Sequence, residues 1–295
     1  MTTQGISIIA AAARPENWEP VYESIGVNDI PFELIFVGPN EPDFDLPDNF
    51  RFIKSNTKPA QCAEIASRAA IYPLLLTLGD DIRFKTDHPL DSIYETYVRA
   101  DDELVMVSCR YQPGGEARTE TDHRFFEGDL DSPILPFCTL ISTQQWRNIG
   151  GIDSQFIAVC WDMDIVMRMY SMGGSVVFSD VQVVEDTAWS RGSNLMNDHR
   201  STDRVLVDQM WSDDRKVHSN RSLPVKSFLD EGILLRSQGP PGRWHHDSEL
   251  MNKFITSRTY YWLRRMRSNV TGRMHRFRFT SIPMYIRRLL KRGSS

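Results

Sequence analysis

Tyr72-Pro73-Leu74-Leu75-Leu76-Thr77-Leu78-Gly79-Asp80-Asp81 is the stretch on which the reading of this chain turns. Its apolar part is short, Leu-rich and without helical period, which predicts a buried strand. Asp80 and Asp81 then stand where that strand leaves the core. In open α/β sheets, ligands bind outside the carboxyl ends of the strands. Two carboxylates there suit a hard divalent cation carrying a phosphate, because Mg²⁺ and Mn²⁺ prefer oxygen ligands. Taken alone, an Asp-Asp pair reads more readily as a solvated turn, so the flanking elements have to decide.

Upstream, Ile6–Ala13 reads as a first buried strand broken by Arg14-Pro15, and Trp18–Ile25 as a helix with Trp18, Val21, Tyr22 and Ile25 on one face. Phe32–Val37 is a second strand closed by the turn cluster Gly38-Pro39-Asn40, and Phe50–Ile53 a short third strand. Ala60–Ala70 is an Ala-rich helix leading into the Leu-rich strand. This alternation predicts an α/β fold with a parallel, doubly wound sheet and right-handed crossovers. Downstream come a strand at Leu104–Ser108, a long polar loop over Tyr111–Ser132 and strand-like sequence over Ile134–Ser142. A short helix, Thr143–Ile149, precedes the Gly150-Gly151 turn. Asp162–Tyr170 reads as a helix with Ile165, Val166 and Met169 inward, and Gly173-Gly174 separates it from a strand at Ser175–Phe178.

The chain has 295 residues, 41% hydrophobic and 25% charged, as expected of a soluble globular protein with either one large α/β domain and an appendage or two domains. Met1–Gly5 passes into the first strand without a charged-then-apolar leader, and no uncharged run approaches the roughly 20 residues of a spanning helix. Cys62, Cys109, Cys138 and Cys160 are widely spaced and lack a CxxC grouping, which predicts reduced, buried thiols in a cytoplasmic protein. The net charge of −5 conceals an asymmetry. After Leu250 there are 12 Lys and Arg and no acids, so the other 22 of the 34 basic residues face all 39 acidic ones, leaving the body at −17 and the tail at +12. The tail carries two aromatic-basic stretches, Thr259–Arg267 and Ile282–Arg292. They read as interfacial helices on an anionic membrane surface or as a helix docked on the acidic body. Nucleic acid is not expected, since that body would repel a polyanion. The expected organisation is a catalytic domain over 1–215 and a basic, aromatic helical extension over 216–295. The expected location is cytoplasmic, with peripheral attachment at the inner face of a membrane as one reading of the tail.

The order of motifs resembles the family 2 glycosyltransferases, which have the GT-A fold. Ile6–Ala13 resembles the opening strand whose end holds the nucleotide, and Leu78-Gly79-Asp80-Asp81-Ile82 the metal-binding DxD strand end. Trp146-Arg147-Asn148-Ile149-Gly150-Gly151-Ile152-Asp153 resembles the acceptor-side Gly-Gly turn, and Trp161-Asp162-Met163-Asp164-Ile165-Val166-Met167-Arg168 the acidic helix start that follows it. The resemblance spans roughly Ile6 to Asp186. It implies an inverting transfer of a sugar from a nucleoside-diphosphate sugar to a hydroxyl of a glycan or glycolipid, with Mn²⁺ or Mg²⁺ as cofactor. It also implies donor contacts at Ala11, Ala12, Arg14, Asn40, Lys58 and Asp80, and acceptor contacts at Gly150, Gly151 and Trp161.

The chemistry constrains the roles. Sugar transfer needs neutralisation of the leaving diphosphate, which a carboxylate-held metal supplies, and a base for the acceptor proton. Asp81 suits the metal, with Asp80 beside it reaching ribose, metal or sugar hydroxyls. Asp162 suits the base, or alternatively only caps its helix. Arg168 is expected to pair with Asp164 at i,i+4 as a structural ion pair. Three departures from the family pattern stand out. Gly79 replaces the first Asp of the DxD; Gly38-Pro39-Asn40-Glu41 replaces an acidic nucleotide-binding pair; Val183-Val184-Glu185-Asp186 lacks the late histidine. Glu185 is then an alternative metal ligand, with His199 further along. Lys58, in a turn, either touches the diphosphate or is simply solvated, and Arg191 and Arg200 are placed to sit on a flexible lid. A nucleotidyltransferase is the rival enzyme, but no Gly-rich triphosphate loop with a following Lys stands near the first strand. A degenerate nucleotide-sugar-binding domain is the non-enzyme rival.

Overall fold

The computed structural model describes residues 4–112, 124–125, 132–185, 195–211, 221 and 223–228. Apolar runs that lack a polar face become strands buried on both sides. In β1 (Ile6–Ala11), Ile6, Ile8 and Ala10 pack into one core cluster and Ile9 into the other. β2 (Phe32–Gly38) divides in the same way, with Leu34 and Phe36 on one side and Ile35 and Val37 on the opposite side. β4 (Leu74–Thr77) sends Leu74 and Leu76 one way and Leu75 the other. The Leu-rich strand of the sequence is thus central to the sheet, as its composition predicts.

The sheet has eight strands in the order β3-β2-β1-β4-β7-β6-β8-β5. β3 is Phe50–Lys54, β5 Ile82–Phe84, β6 Val105–Gln112, β7 Phe137–Ser142 and β8 Ser175–Glu185. Pairs β1–β2, β2–β3, β1–β4 and β6–β8 are parallel; β4–β7, β6–β7 and β5–β8 are antiparallel. This is a Rossmann-like, mostly parallel sheet flanked by helices, the α/β architecture expected from the alternation of strands and helices. Among the elements not anticipated are β5, only three residues long, and α3 (Pro89–Ala100), whose Leu90 and Ile93 are buried.

The helices begin and end on local signals. α1 (Trp18–Ile25) buries Trp18, Val21 and Ile25, and Gly26 closes it at φ +63. Trp18 packs edge-on to Phe36 at 5.4 Å and against Phe50 and Phe52, joining helix to strands. Pro59 occupies the first turn of α2 (Pro59–Ala69), where its missing N–H costs nothing. α4 (Thr143–Ile149) starts with Ser142 accepting from the Gln145 N–H at 3.0 Å and ends at Gly150, φ +98. α5 is Trp161–Ser171 and α6 Leu195–Met210.

A buried ionic joint ties α4, α5 and α6 together. Asp164, fully buried, accepts from Arg168 Nε (3.0 Å), Trp211 Nε1 (2.9 Å) and Arg221 Nε (2.8 Å). Arg168 also donates to the carbonyls of Ile149 (2.6 Å) and Gly151 (2.7 Å), so the expected i,i+4 pair anchors the Gly-Gly turn as well. Arg221 reaches Asp153 at 2.5 Å. From beneath, Glu64 of α2 accepts from the Ile152 N–H (3.0 Å) and Trp146 Nε1 (3.2 Å). A Cβ on Gly151, φ +65, would lie 2.7 Å from Glu64 Oε2, so only glycine fits. Residues 221 and 223–228, beyond the expected end of the catalytic domain, are therefore part of its packing; the rest of 216–295 lies outside the described residues, as does the expected 215/216 boundary itself. Among the described residues no helix is long and apolar enough to cross a membrane. Arg168→Met should destabilise the fold by about 3–5 kcal/mol in urea unfolding, because it strips one partner from a buried ion pair and leaves two carbonyls without their donor. A loss below about 1 kcal/mol would mean the joint is not structural.

Candidate active site

Strands β1, β2 and β4 run parallel and end at one edge of the sheet, where three loops interlock. The Ala12 N–H donates to the Val37 carbonyl at 2.9 Å, and Asn40 Nδ2 to the Ala13 carbonyl at 2.6 Å. A Cβ on Gly38 would fall 1.6 Å from the Ala12 oxygen, so glycine is what lets the two backbones meet. Asp80, 4% exposed, accepts the N–H groups of Ala13 (2.7 Å) and Arg14 (3.0 Å) and the guanidinium of Arg14. Asp80 thus holds the exit of β1, and with it Ala11, Ala12 and Arg14. Of the expected donor contacts, these residues and Asn40 are gathered at this edge.

Arg14 bridges the acidic pair, reaching Asp80 and, at 2.9 Å, Asp81. Burial disfavours charge on Arg14, but its hydrogen bonds and proximity to Asp80, and then to Asp81, outweigh that and raise its pKa. Asp81 is pushed up to about 6, first by burial and further by the charges of Asp80 and Glu185, with Arg14 opposing. Glu185, at the end of β8, is in register with Ile82 and accepts from the Tyr111 hydroxyl at 2.5 Å. Tyr111 stacks on Phe137 at 4.4 Å, and burial followed by its bond to Glu185 raises its own pKa. Sequence reasoning put Tyr111 at the start of a loop; it belongs to β6 and fixes Glu185. Gly79 also gains a reason: a Cβ there would lie 2.6 Å from Asp81 Oδ1. The missing first Asp of the motif is the room into which Asp81 folds back.

The other half is the start of α5. Cys160 precedes it in a left-handed conformation, φ +63, and no side chain caps the helix. Asp162 is exposed and accepts the Met163 N–H at 2.9 Å, so it is not the N-cap residue. Trp161 packs edge-on to Trp146 at 6.3 Å, partly buried. The approach to this helix is held by Asp203 of α6, which accepts the N–H groups of Ile157 (3.2 Å), Ala158 (2.8 Å) and Val159 (2.9 Å). Nothing in the local sequence marks Asp203, since its partners lie more than 40 residues away. In Cys138 of β7, φ +45, burial pushes the thiol up to about 12, and the charges of Asp81 and Asp162 both add to the shift. The two carboxylates thus act on the same thiol from separate elements.

Several expectations need correction. Lys58 is 1% exposed, its ammonium donates to the Ser154 carbonyl, and it lies 5.7 Å over the Phe228 ring. It serves the core and is not presented to a diphosphate. Gly150 and Gly151, expected as acceptor contacts, also form the joint over Glu64 and Arg168. Two of the four thiols, Cys138 and Cys160, are only partly buried, and none of the four forms a disulfide. Residues 195–210 are helix α6, not a lid; His199 is buried in it, Arg200 belongs to it, and Arg191 and Asp186 lie outside the described residues.

Among the described residues no group of three or more His, Cys, Asp or Glu could hold a metal ion. Asp80 has its oxygens engaged by N–H donors. Glu185 lies near enough for its charge to raise the Asp81 pKa, and Arg14 pairs with Asp80 and Asp81. Two carboxylates would hold a Mg²⁺ or Mn²⁺ ion only with phosphate and water supplying its other ligands.

No family model matches the chain, and no curated protein matches it. Among solved structures it is similar to S. aureus TarS residues 1–349, at 12% identity and TM-score 0.45 over 72% of this chain and 73% of that one. It is also similar to the same segment in complex with UDP, at 12% identity and TM-score 0.49 over 87% and 73%.

A carboxyl raised in the folded state favours folding below its unfolded pKa of 3.8, and that contribution is lost as pH climbs through about 6. Above that, ionised Asp81 is carried at a cost. Asp81→Asn should accordingly raise the Tm by a few °C at pH 7.5, with the gain fading towards pH 4; an equal gain at both pH values in thermal melts would refute the cost. Asp203→Ala should lower stability by about 2 kcal/mol or more, since it orphans three buried N–H groups, and amide exchange should show residues 157–159 losing protection.

Proposed function

We propose that the protein is a glycosyltransferase that moves a sugar from a nucleoside-diphosphate sugar to a hydroxyl of a glycan or glycolipid. The observation that supports this is that Asp81, just after the end of β4, and Asp162, at the start of α5, both lie near enough to Cys138 for their charges to act on its thiol. One carboxylate lies in an acidic cluster suited to a cation. The other is exposed, on a separate element, and suited to receive a proton.

In this reading the diphosphate lies against the β1 exit, within reach of Arg14 and the strand-end backbone. The acceptor oxygen attacks the anomeric carbon from the Asp162 side. Its proton passes to an Asp162 carboxylate oxygen as the new glycosidic bond forms, and the bond from the anomeric carbon to the phosphate oxygen breaks. Attack opposite to the leaving group inverts the anomeric centre. A Mg²⁺ or Mn²⁺ ion held by Asp81 and Glu185 would neutralise charge on the departing diphosphate. Arg14 adds its guanidinium to the same end. Asp80 fixes Arg14 and the β1 exit, and Asp203 fixes the approach to Trp161 and Asp162. The basic tail would bring the enzyme to an anionic membrane surface, a proposal tested by co-sedimentation with phosphatidylserine vesicles in the presence and absence of residues 251–295.

Incubation with a panel of UDP-, GDP- and dTDP-sugars in Mn²⁺ should give slow donor hydrolysis for one nucleotide class. Asp162→Asn should abolish transfer, by about 10²-fold or more, while leaving donor affinity within a few-fold. Unchanged turnover in that variant would remove Asp162 as base. Binding of a donor without any turnover would favour a degenerate sugar-nucleotide-binding domain.

A further inference from the structure

We propose that the cleft between α2 and α4 is a binding site for a small organic carboxylate, held by Arg68 and Arg147 with its apolar body against Trp146. The cleft has a volume of about 270 Å³ and is lined by Glu64 and Arg68 of α2, Trp146 and Arg147 of α4, and the Gly150-Gly151 turn. It lies apart from the strand-end carboxylates. Thr143, on its wall, is bound to the chain just ahead of β4, donating its N–H to the Pro73 carbonyl (2.8 Å) and its hydroxyl to the Tyr72 carbonyl (2.9 Å). Asp80 and Asp81 follow the other end of that strand, so the length of β4 separates the two places.

Three ionisable groups line the cleft, and they are unequally engaged. Glu64, with a side chain 2% exposed, is spent inward on the Ile152 N–H, on Trp146 Nε1 and, at 2.7 Å, on Arg68 Nη2. Arg68 is committed only in part: its side chain is 24% exposed, Nη2 alone meets Glu64, and Nε is enclosed without a hydrogen-bond partner. Arg147 is exposed, and among the described residues its side chain makes no ion pair or hydrogen bond. Two guanidiniums against one carboxylate leave one positive charge over. A single carboxylate balances it, and its two oxygens match the guanidinium fork. A phosphate monoester, carrying about two negative charges, would leave an excess beside Glu64.

The remaining wall sets the body of the ligand. An indole and two residues without side chains offer an apolar floor, and the volume lies just below that of sites for drug-sized molecules. It suits one ring with its carboxylate and excludes a nucleotide. The same wall supports the Gly-Gly turn, because Glu64 holds both Trp146 and Ile152, and Trp146 packs on Trp161 at 6.3 Å. An anion that ties Arg68 to Arg147 therefore stiffens residues 146–152. Binding of a carboxylate here does not depend on the sugar-transfer reading.

The test uses the full chain with benzoate, acetate, glucuronate and inorganic phosphate as separate probes, titrated by saturation-transfer NMR. Benzoate should bind saturably, in the low millimolar range or tighter, as its size allows. Acetate, which lacks the ring, and glucuronate, whose ring is polar, should each bind at least about fivefold more weakly. Arg147→Met should weaken benzoate by about fivefold or more, with Arg147→Lys between it and wild type because the charge remains and the fork is lost. Position 147 is exposed, so both variants should melt with wild type. Benzoate should also slow amide exchange at residues 146–152. Absence of saturable benzoate binding would overturn the site, as would a smaller loss in Arg147→Met or protection that misses residues 146–152. Glucuronate binding as tightly as benzoate would overturn the apolar body, and phosphate binding more tightly would overturn the carboxylate.

Discussion

The carboxylate of Asp164 is the point on which the acceptor half of the molecule depends. It is fully buried and receives donors from its own helix, from Trp211 at the end of α6 and from Arg221 further along the chain. A charge in that position persists only when its lone pairs are filled. Arg168 and Arg221 fill them and spend their remaining donors on the Gly-Gly turn and on Asp153. The start of α5 thereby has a fixed direction relative to the sheet, and Asp162, two residues before Asp164, emerges from a rigid joint.

The strand-end cluster is built on the opposite principle. Around Asp164 and Asp153, two acids face two arginines, all buried, and the charges balance. Around Asp81, Arg14 pairs with both Asp80 and Asp81, and the pKa of Asp81 is raised first by burial and then by the charges of Asp80 and Glu185, with Arg14 opposing. Balanced, enclosed charge holds elements together, whereas a carboxyl with a shifted pKa at a strand end marks a candidate functional site. Asp80 stands between the two regimes. Its oxygens are taken by backbone N–H groups, which makes it a positioning residue, although it is adjacent in sequence to the carboxylate that faces the site.

Much of the frame was legible because its signals are local. The Leu-rich run, the Ile-rich opening run and the Gly38-Pro39 break specify strands by what they exclude, and Thr143–Ile149 was bounded by a serine cap and a glycine stop. The Asp164–Arg168 pair followed from helical spacing. β5 was missed because three residues carry no periodicity, and α6 because its polar Ser-Asn-Asp content resembles loop composition until its buried face meets α5. Lys58 misled for a related reason: a lysine beside a proline in a turn looks solvated, and only long-range packing under Ser154 and Phe228 encloses it.

The amino-acid sequence by itself determined the strand and helix order, the carboxylates at the end of β4 and the acidic start of α5, since propensity, turn chemistry and i,i+4 spacing act over a few residues. Tertiary structure alone decided which charges are spent and which are left over. Arg14 against Asp80 and Asp81, Glu185 beside Asp81 through the β5–β8 register, Tyr111 on Glu185 and Asp203 beneath residues 157–159 are contacts between segments distant in the chain. Their energies depend on burial and on neighbours, two quantities that exist only after the chain has folded.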